Sequence, residues 1–262
     1  MHGHGIEFAG YRQYTSGDDA SLIDWKASVR SRKLLIKQLQ EERDLNVAIL
    51  LDVSDTMLTG TVSKVKAEYA AEIASTIAYA TLSAGENVSF TMLADGIRKH
   101  LPFGHGVGHH ALLLKLLVNP EYWGGVRNFP LSARQSLAMV TTPSLFILIS
   151  DYIGFETSWE RFLKIMATQH DLIVIIVRDP RDRRLPSVGE FLVEDPSTGQ
   201  TLLIDATDYA APYAAYVAQE EERIASLMRQ AGAQMILLET TDDYADVLLR
   251  EFILRKRRWW LD

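Results

Sequence analysis

Five stretches of the chain are almost unbroken in apolar residues: LNVAILLD (45–52), NVSFTMLA (87–94), SLFILISD (144–151), DLIVIIVR (171–178) and AQMILLET (233–240). Each has the length of a strand and lacks the alternation of a half-exposed one, so each is predicted as a strand covered on both faces. Between them, SKVKAEYAAEIASTIAYATLSAG (63–85), TSWERFLKIMATQ (157–169) and AAYVAQEEERIASLMRQAG (214–232) carry helical periodicity and end near Gly or a polar break. Strand, helix and strand in succession predict an α/β fold with a doubly wound, mainly parallel sheet.

Two segments depart from the alternation. IRKHLPF (97–103) follows the second strand after Asp95 and Gly96, a hairpin signal, and is expected to run antiparallel at an edge. GEFLVEDPSTGQTLLID (189–205) reads as a hairpin insertion around a Pro, Ser, Thr and Gly turn. The first 44 residues differ again, being rich in aromatics and alternating charges without a long helical pattern. They are expected to form a loop-and-strand extension packed on a main domain of residues 45–262.

Composition narrows the classes. At 262 residues, 47% hydrophobic and 23% charged, the chain can bury one sizeable core. A net charge of −7 disfavours a general nucleic-acid binder, which needs a surplus of Lys and Arg against phosphate. The absence of Cys excludes disulfides, thiolate metal sites and cysteine nucleophiles, and fits a reducing, cytoplasmic setting. The start, MHGHGIEFAG, has no signal-peptide core, and no apolar run reaches about 18 residues, so the chain reads as soluble.

Candidate chemistry gathers where strands end. Asp52, Ser54 and Thr56 leave the first strand two residues apart, and Asp151 ends LFILISD. In open α/β sheets ligands bind outside the carboxyl ends of strands where the strand order reverses. If the two strands are neighbours, two carboxylates and two hydroxyls meet in one crevice, an oxygen set suited to Mg²⁺, Mn²⁺ or Ca²⁺. The competing reading is that both aspartates cap the helices that follow.

DVSDTM resembles the Asp-x-Ser-x-Ser start of the metal-ion-dependent adhesion site of von Willebrand factor A domains, with Thr56 in the place of the last Ser. Asp151 is similar to that family's later aspartate. The resemblance implies a sheet in the order 3-2-1-4-5-6 with one antiparallel edge strand. Upstream, Glu7-Phe8, Arg12, Tyr14, Gly17-Asp18-Asp19, Ile23-Asp24-Trp25-Lys26, Ser28 and Arg30 resemble the signature of domain-of-unknown-function family 58. Two departures stand out. That family usually carries an Arg near Ser21. The adhesion site normally takes a Thr from the loop after the third strand, and the segment from Phe103, FGHGVGHHALLLKLL, holds neither Thr nor Ser.

That same segment holds His105, His109 and His110. Their spacing could serve zinc, but no third ligand lies nearby in sequence, and they are expected as surface residues bordering the crevice, where His109 and His110 could touch a partner. Asp55 is a further expected rim contact. In the extension, Lys26, Arg30, Arg32, Lys33 and Lys37 read as the charged residues of an edge strand rather than a nucleic-acid patch. Asp18, Asp19 and Asp24 are expected to pair with Arg12 and Arg30. At the end, Arg255, Lys256, Arg257 and Arg258 stand beside Trp259 and Trp260. They read as cations at a helix C-terminus more readily than as a membrane contact.

The family 58 resemblance implies a non-enzymatic interaction module, an adaptor or co-chaperone of a MoxR-type AAA+ ATPase acting on protein clients. A partner carboxylate would complete the shell of a divalent cation, Mg²⁺ first, held by Asp52, Ser54, Thr56 and Asp151. No phosphate-binding loop of the Gly-x-x-x-x-Gly-Lys-Ser/Thr type is present, so the ATPase would supply the energy. Two alternatives remain: an A-domain scaffold with a vestigial metal site, and a phosphatase similar to haloacid dehalogenases using Asp52. In the latter Ser54 stands where the general acid belongs, and Asp55 is shifted by one. A serine hydrolase lacks both the nucleophile elbow and an assignable base.

Overall fold

The computed structural model describes residues 6–41, 45–186, 189–195 and 198–259. It divides into two compact units, Met1–Asp44 and Leu45–Asp262.

In the first unit, β1 (Ile6–Gln13) and β2 (Leu35–Glu41) pair antiparallel, with a short helix α1 (Trp25–Ser31) between them. The basic run expected as an edge strand is thus first a helix and only then a strand. Its start is dictated by Asp24, which accepts the backbone N–H groups of Lys26 at 3.0 Å and Ala27 at 3.1 Å. Asp24 also accepts the Tyr11 hydroxyl at 2.9 Å and lies 3.7 Å from Lys37, so its cation is Lys37 rather than Arg30. Asp18 grips Arg12 through both terminal nitrogens at 2.6 and 2.7 Å, and Asp19 caps a short 3-10 turn through the Ser21 N–H. The acidic residues of the signature shape the extension's own turns.

The second unit holds a six-stranded sheet: β3 (Asn46–Asp52), β4 (Asn87–Leu93), β5 (Ile97–Gly104), β6 (Leu145–Ser150), β7 (Asp171–Arg178) and β10 (Gln234–Glu239). Its order is β10-β7-β6-β3-β4-β5. Only the β4–β5 pairing is antiparallel, turned at Asp95-Gly96 by an Ala94 N–H to Gly96 bond. Counted along the chain, these six strands read 3-2-1-4-5-6 from the β5 edge, the expected order. Two strands outside the sheet, β8 (Glu190–Glu194) and β9 (Thr201–Asp205), form the expected hairpin.

Strands buried on both faces need two helical layers, and the two cores show them. Val47, Ile49 and Leu51 of β3 pack with α2 (Lys66–Ser83), α3 (Gly106–Leu117) and α8 (Tyr244–Trp259). Ala48 and Leu50 face α4 (Phe129–Met139), α5 (Thr157–Gln169) and α7 (Ala206–Ala231). Between β7 and the hairpin, Asp179 starts a single turn, α6 (Pro180–Arg183).

Three elements differ from expectation. The segment from Phe103 is a strand end followed by α3, not a loop. Helix α4 has no counterpart among the elements that the sequence pattern predicts. Helix α7 begins at Ala206 rather than near residue 214, running through Pro212 and stopping at Gly232 in the left-handed conformation. The backbone of the basic tail continues α8 as far as Trp259, while the side chains of Arg255, Lys256, Arg257, Arg258 and Trp259, and the whole of Trp260, lie outside the described residues.

Candidate functional site at the carboxyl edge of the sheet

β3 and β6 are parallel neighbours, with Leu51 opposite Ile149, so Asp52 and Asp151 leave the sheet side by side. Both are buried, at 3% and 0% exposure. Asp52 turns the following loop by accepting the Ser54 N–H at 2.9 Å, and Ser54 Oγ lies 3.3 Å from Thr56 Oγ1. The four residues expected to form the site therefore share one edge of the sheet.

What holds the two carboxylates together is a guanidinium. Arg127 Nη1 donates to Asp52 Oδ2 at 2.6 Å and to Asp151 Oδ1 at 2.8 Å, and lies 3.2 Å from Ser150 Oγ. Its Nη2 donates to the Ile153 carbonyl, and its flat face lies 4.9 Å from the Trp159 ring centre. Ser150 Oγ donates to Asp52 at 2.6 Å. The other oxygen of Asp151 accepts Lys66 Nζ at 3.0 Å, and Lys66, fully buried, also donates to Asp182 at 2.9 Å. Asp182 accepts the Asp179 N–H at 2.9 Å, while Asp179 binds the Thr61 N–H at 2.6 Å and its hydroxyl at 2.5 Å. One ionic network thus ties the loops after β3, β6 and β7 to the start of α2.

Sequence reasoning missed Arg127, Lys66 and Ser150. Lys66 left a signal: positions 66, 69, 70, 73 and 77 form the buried stripe of α2, and a lysine on such a stripe demands a partner. Arg127 left little, because its loop is remote in sequence and its position depends on tertiary bonds. Gly124 N–H donates to the Val53 carbonyl at 2.7 Å, Asp55 N–H to the Gly125 carbonyl at 3.0 Å, and Gly125 N–H to Asp55 Oδ1 at 2.6 Å. Asp55, expected as a rim contact, clamps this loop. Gly124 and Gly125 sit at φ +95° and +98°, and a Cβ on Gly125 would collide with an Arg98 guanidinium nitrogen. The loop that returns to the site after the third sheet strand is this one, and it brings a guanidinium rather than a hydroxyl.

Electrostatics follow from the packing. Burial alone would raise the Asp151 carboxyl, but the charges of Lys66 and Arg127 and their hydrogen bonds outweigh it and hold the group well below the usual carboxylate range. Burial would likewise weaken the Arg127 cation, and Asp52 and Asp151 reverse that. Burial, aided by the Asp52 charge, pushes the Tyr152 hydroxyl up. Tyr152 itself stands at φ +52°, packed between Phe155 and Trp159.

A divalent cation does not fit these residues as they stand. Both Asp52 oxygens and both Asp151 oxygens already accept hydrogen bonds, three of them to cations or hydroxyls at 2.6 to 3.0 Å. The cavity left beside Asp52, Ser150 and Arg127 is about 10 Å³, room for one water at most, whereas Mg²⁺ keeps several of its waters. Among the described residues no group of three or more His, Asp or Glu is arranged to hold a metal. A larger groove of about 560 Å³ begins at Thr56 and runs past Thr61 and Asp182 to Phe191 of β8.

The histidines lie elsewhere. His109 Nε2–H donates to the Val88 carbonyl at 2.8 Å, at the amino end of β4, and His110 Nε2 lies 3.1 Å from Ser75 Oγ with its ring 5.4 Å from Tyr79. The carboxyl edge is at the other end of these strands. His109 and His110 therefore do not border the crevice, because the segment carrying them is a helix that starts at the far end of β5.

The family model described as "Protein of unknown function DUF58" matches residues 10–224. An uncharacterized protein of Mycobacterium tuberculosis is 28% identical over 263 residues, an alignment that takes in 98% of this chain and 81% of that one. Among solved structures, the conserved hypothetical protein BatB from Bacteroides thetaiotaomicron superposes with a TM-score of 0.53 at 14% identity, over 82% of this chain and 99% of that one. An aerotolerance-related membrane protein from Bacteroides fragilis gives 0.50 at 15%, over 76% and 92%. At such identities the likeness is one of fold. Among the described residues no helix is long and apolar enough to cross a membrane.

Proposed function

From the premise that this chain belongs to the DUF58 family of proteins of unknown function, we propose that it is a non-enzymatic protein-interaction module with a von Willebrand factor A-like fold, working as adaptor or co-chaperone of a MoxR-type AAA+ ATPase. One observation carries the reading. The Asp52 to Thr56 loop and Asp151 meet at the carboxyl edge of adjacent strands, where such domains receive partners, yet every carboxylate there is spent on holding loops in place. A site built to position surface loops rather than to react suits docking. The Mg²⁺-bridged contact expected from the resemblance does not fit the bonded carboxylates, so docking is assigned to the loops themselves.

The phosphatase reading is disfavoured by the same bonds. A nucleophilic Asp52 would need a free oxygen facing substrate, but it is 3% exposed and engaged by Ser54, Ser150 and Arg127. Ser54 is 1% exposed, and its hydroxyl lies 3.3 Å from that of Thr56, which cannot serve as its base.

The test is binding of a purified MoxR-type AAA+ ATPase to the immobilised chain, with and without ATP, beside Thr56→Arg. Saturable binding weakened at least tenfold by the substitution supports the reading. No binding by the unsubstituted chain, or turnover of p-nitrophenyl phosphate abolished by Asp52→Asn, overturns it.

A further inference from the structure

We infer that Arg127 and Lys66 are the resident cations of this site, standing where a divalent ion would bridge Asp52 and Asp151, and that the site is closed to metal until Arg127 is removed. The inference rests on the ion network alone and not on the identity of any partner.

The charges make the case. Asp52 and Asp151 bring two buried negative charges to the point where the strands part, and Arg127 and Lys66 supply two positive ones, the same charge a single divalent ion would bring. The geometry matches the count. Arg127 Nη1 lies between one oxygen of each carboxylate at 2.6 and 2.8 Å, a bridging position, and the Ser150 hydroxyl 3.2 Å away would be a neutral oxygen ligand to an ion there. Ser54 and Thr56 stand on the same loop as Asp52. Lys66 takes the outer oxygen of Asp151, so neither side of that carboxylate is left free.

The guanidinium is also built in, not incidental. Its loop is fixed by bonds from Gly124, Gly125 and Asp55 to the Asp52 loop, its plane rests on Trp159, and its second nitrogen is held by Ile153. A surface arginine that had merely swung into an empty metal site would lack these supports. Removing the side chain would leave two adjacent buried carboxylates, hydroxyls within the same loops and a vacated volume, which together make an oxygen site for Mg²⁺ or Mn²⁺.

The test is calorimetric and thermal titration of the metal-stripped chain with Mn²⁺ and Mg²⁺. The unsubstituted chain is expected to show no saturable heat up to 5 mM metal and no shift in melting temperature between EDTA and metal. Arg127→Ala is expected to melt lower and to regain several degrees on adding Mn²⁺, with saturable binding at least tenfold tighter than the parent. The Arg127→Ala, Asp52→Asn double variant should lose that gain. If Arg127→Ala does not fold, Arg127→Gln is read the same way.

Saturable binding by the unsubstituted chain that Asp52→Asn abolishes overturns the inference. So does a folded Arg127 variant, Ala or Gln, that gains no metal affinity. Binding that Asp52→Asn leaves untouched lies outside this site and counts for its closure.

Discussion

Replacing Lys66 with Met tests whether the buried network is a structural necessity. The ammonium has no exposed surface and sits 3.0 Å from Asp151 and 2.9 Å from Asp182, while Arg127 remains on the other oxygen of Asp151. At an effective dielectric of about 20, one such contact is worth about 5 kcal/mol before desolvation is subtracted. Methionine spares the desolvation of the lysine but leaves two carboxylates facing each other with one guanidinium. Breaking a buried pair by removing one partner costs about 3–5 kcal/mol. The surviving Arg127 bond and the Asp179 N–H on Asp182 place the expected loss near the lower end, about 3 kcal/mol. For a unit of this size that is a fall in Tm of roughly 6–12 °C. Urea denaturation at pH 7 gives the free energy and a melting scan the temperature. The effect carries a pH signature. Asp151 is held below its ordinary range in the folded state, so the stability it contributes is present above an unfolded value of about 3.9 and is lost as pH falls through the folded one. The gap between Lys66→Met and its parent should therefore narrow below about pH 4. A loss under 1 kcal/mol at pH 7, or a gap independent of pH, would refute the argument.

Three further outcomes are expected. Gly125→Ala forces a side chain onto a φ of +98° beside Arg98 and should cost about 1–3 kcal/mol, and a crystal structure of the variant should show Arg127 displaced from Asp52; an undisturbed Arg127 contradicts the loop's role. His170 packs 4.0 Å from the Phe146 ring and burial lowers its pKa, so the unfolded chain takes up the proton first and stability should decline as pH drops below about 6.5. His170→Gln should flatten that slope between pH 7 and 5, leaving the part due to His100, whose pKa burial also lowers. Asp18 is held well below the usual carboxylate range, chiefly by Arg12 and then by the Thr15 N–H, and carboxyl NMR titration of Arg12→Ala should find it shifted back upward; an unchanged titration would mean the backbone bond alone suffices.

The fold was legible where burial leaves a simple mark. Five apolar runs of strand length bounded β3, β4, β6, β7 and β10 to within a residue or two, because a strand covered on both faces has few polar positions to confuse its limits. Helix α3 was hidden by its glycines and histidines, GHGVGHH, which argue against a helix locally; the packing of Leu113 and Leu117 decides otherwise. Helix α4 begins at Phe129-Pro130 after the capping Asn128, a start signal present in the sequence but not followed by a long apolar stripe. In the site, the acidic half was readable because Asp-x-Ser-x-Thr is local in sequence. The cationic half was not, since Arg127 reaches Asp52 across 75 residues and Lys66 reaches Asp182 across 116.

The cost of such a network bears on why it exists. Buried ion pairs are often no more stabilising than apolar side chains of the same volume, so stability alone does not account for three carboxylates and two cations at one sheet edge. What they do that leucines could not is fix four segments in register: residues 52–56, 124–127, 150–153 and 179–182 each contribute a bonded group. A metal-filled site would do the same only while metal is bound, and its loops would relax at low cation concentration. A guanidinium delivered by the chain makes the arrangement permanent. Loops held in this way offer a docking partner a surface ordered in advance, which lowers the entropic cost of association. If that is the network's purpose, conservative loss of Arg127 should slow partner association, or weaken affinity, by more than its loss of fold stability explains. An Arg127→Lys chain that stays folded and binds the proposed MoxR-type ATPase as tightly as the parent would show that the permanence serves stability alone.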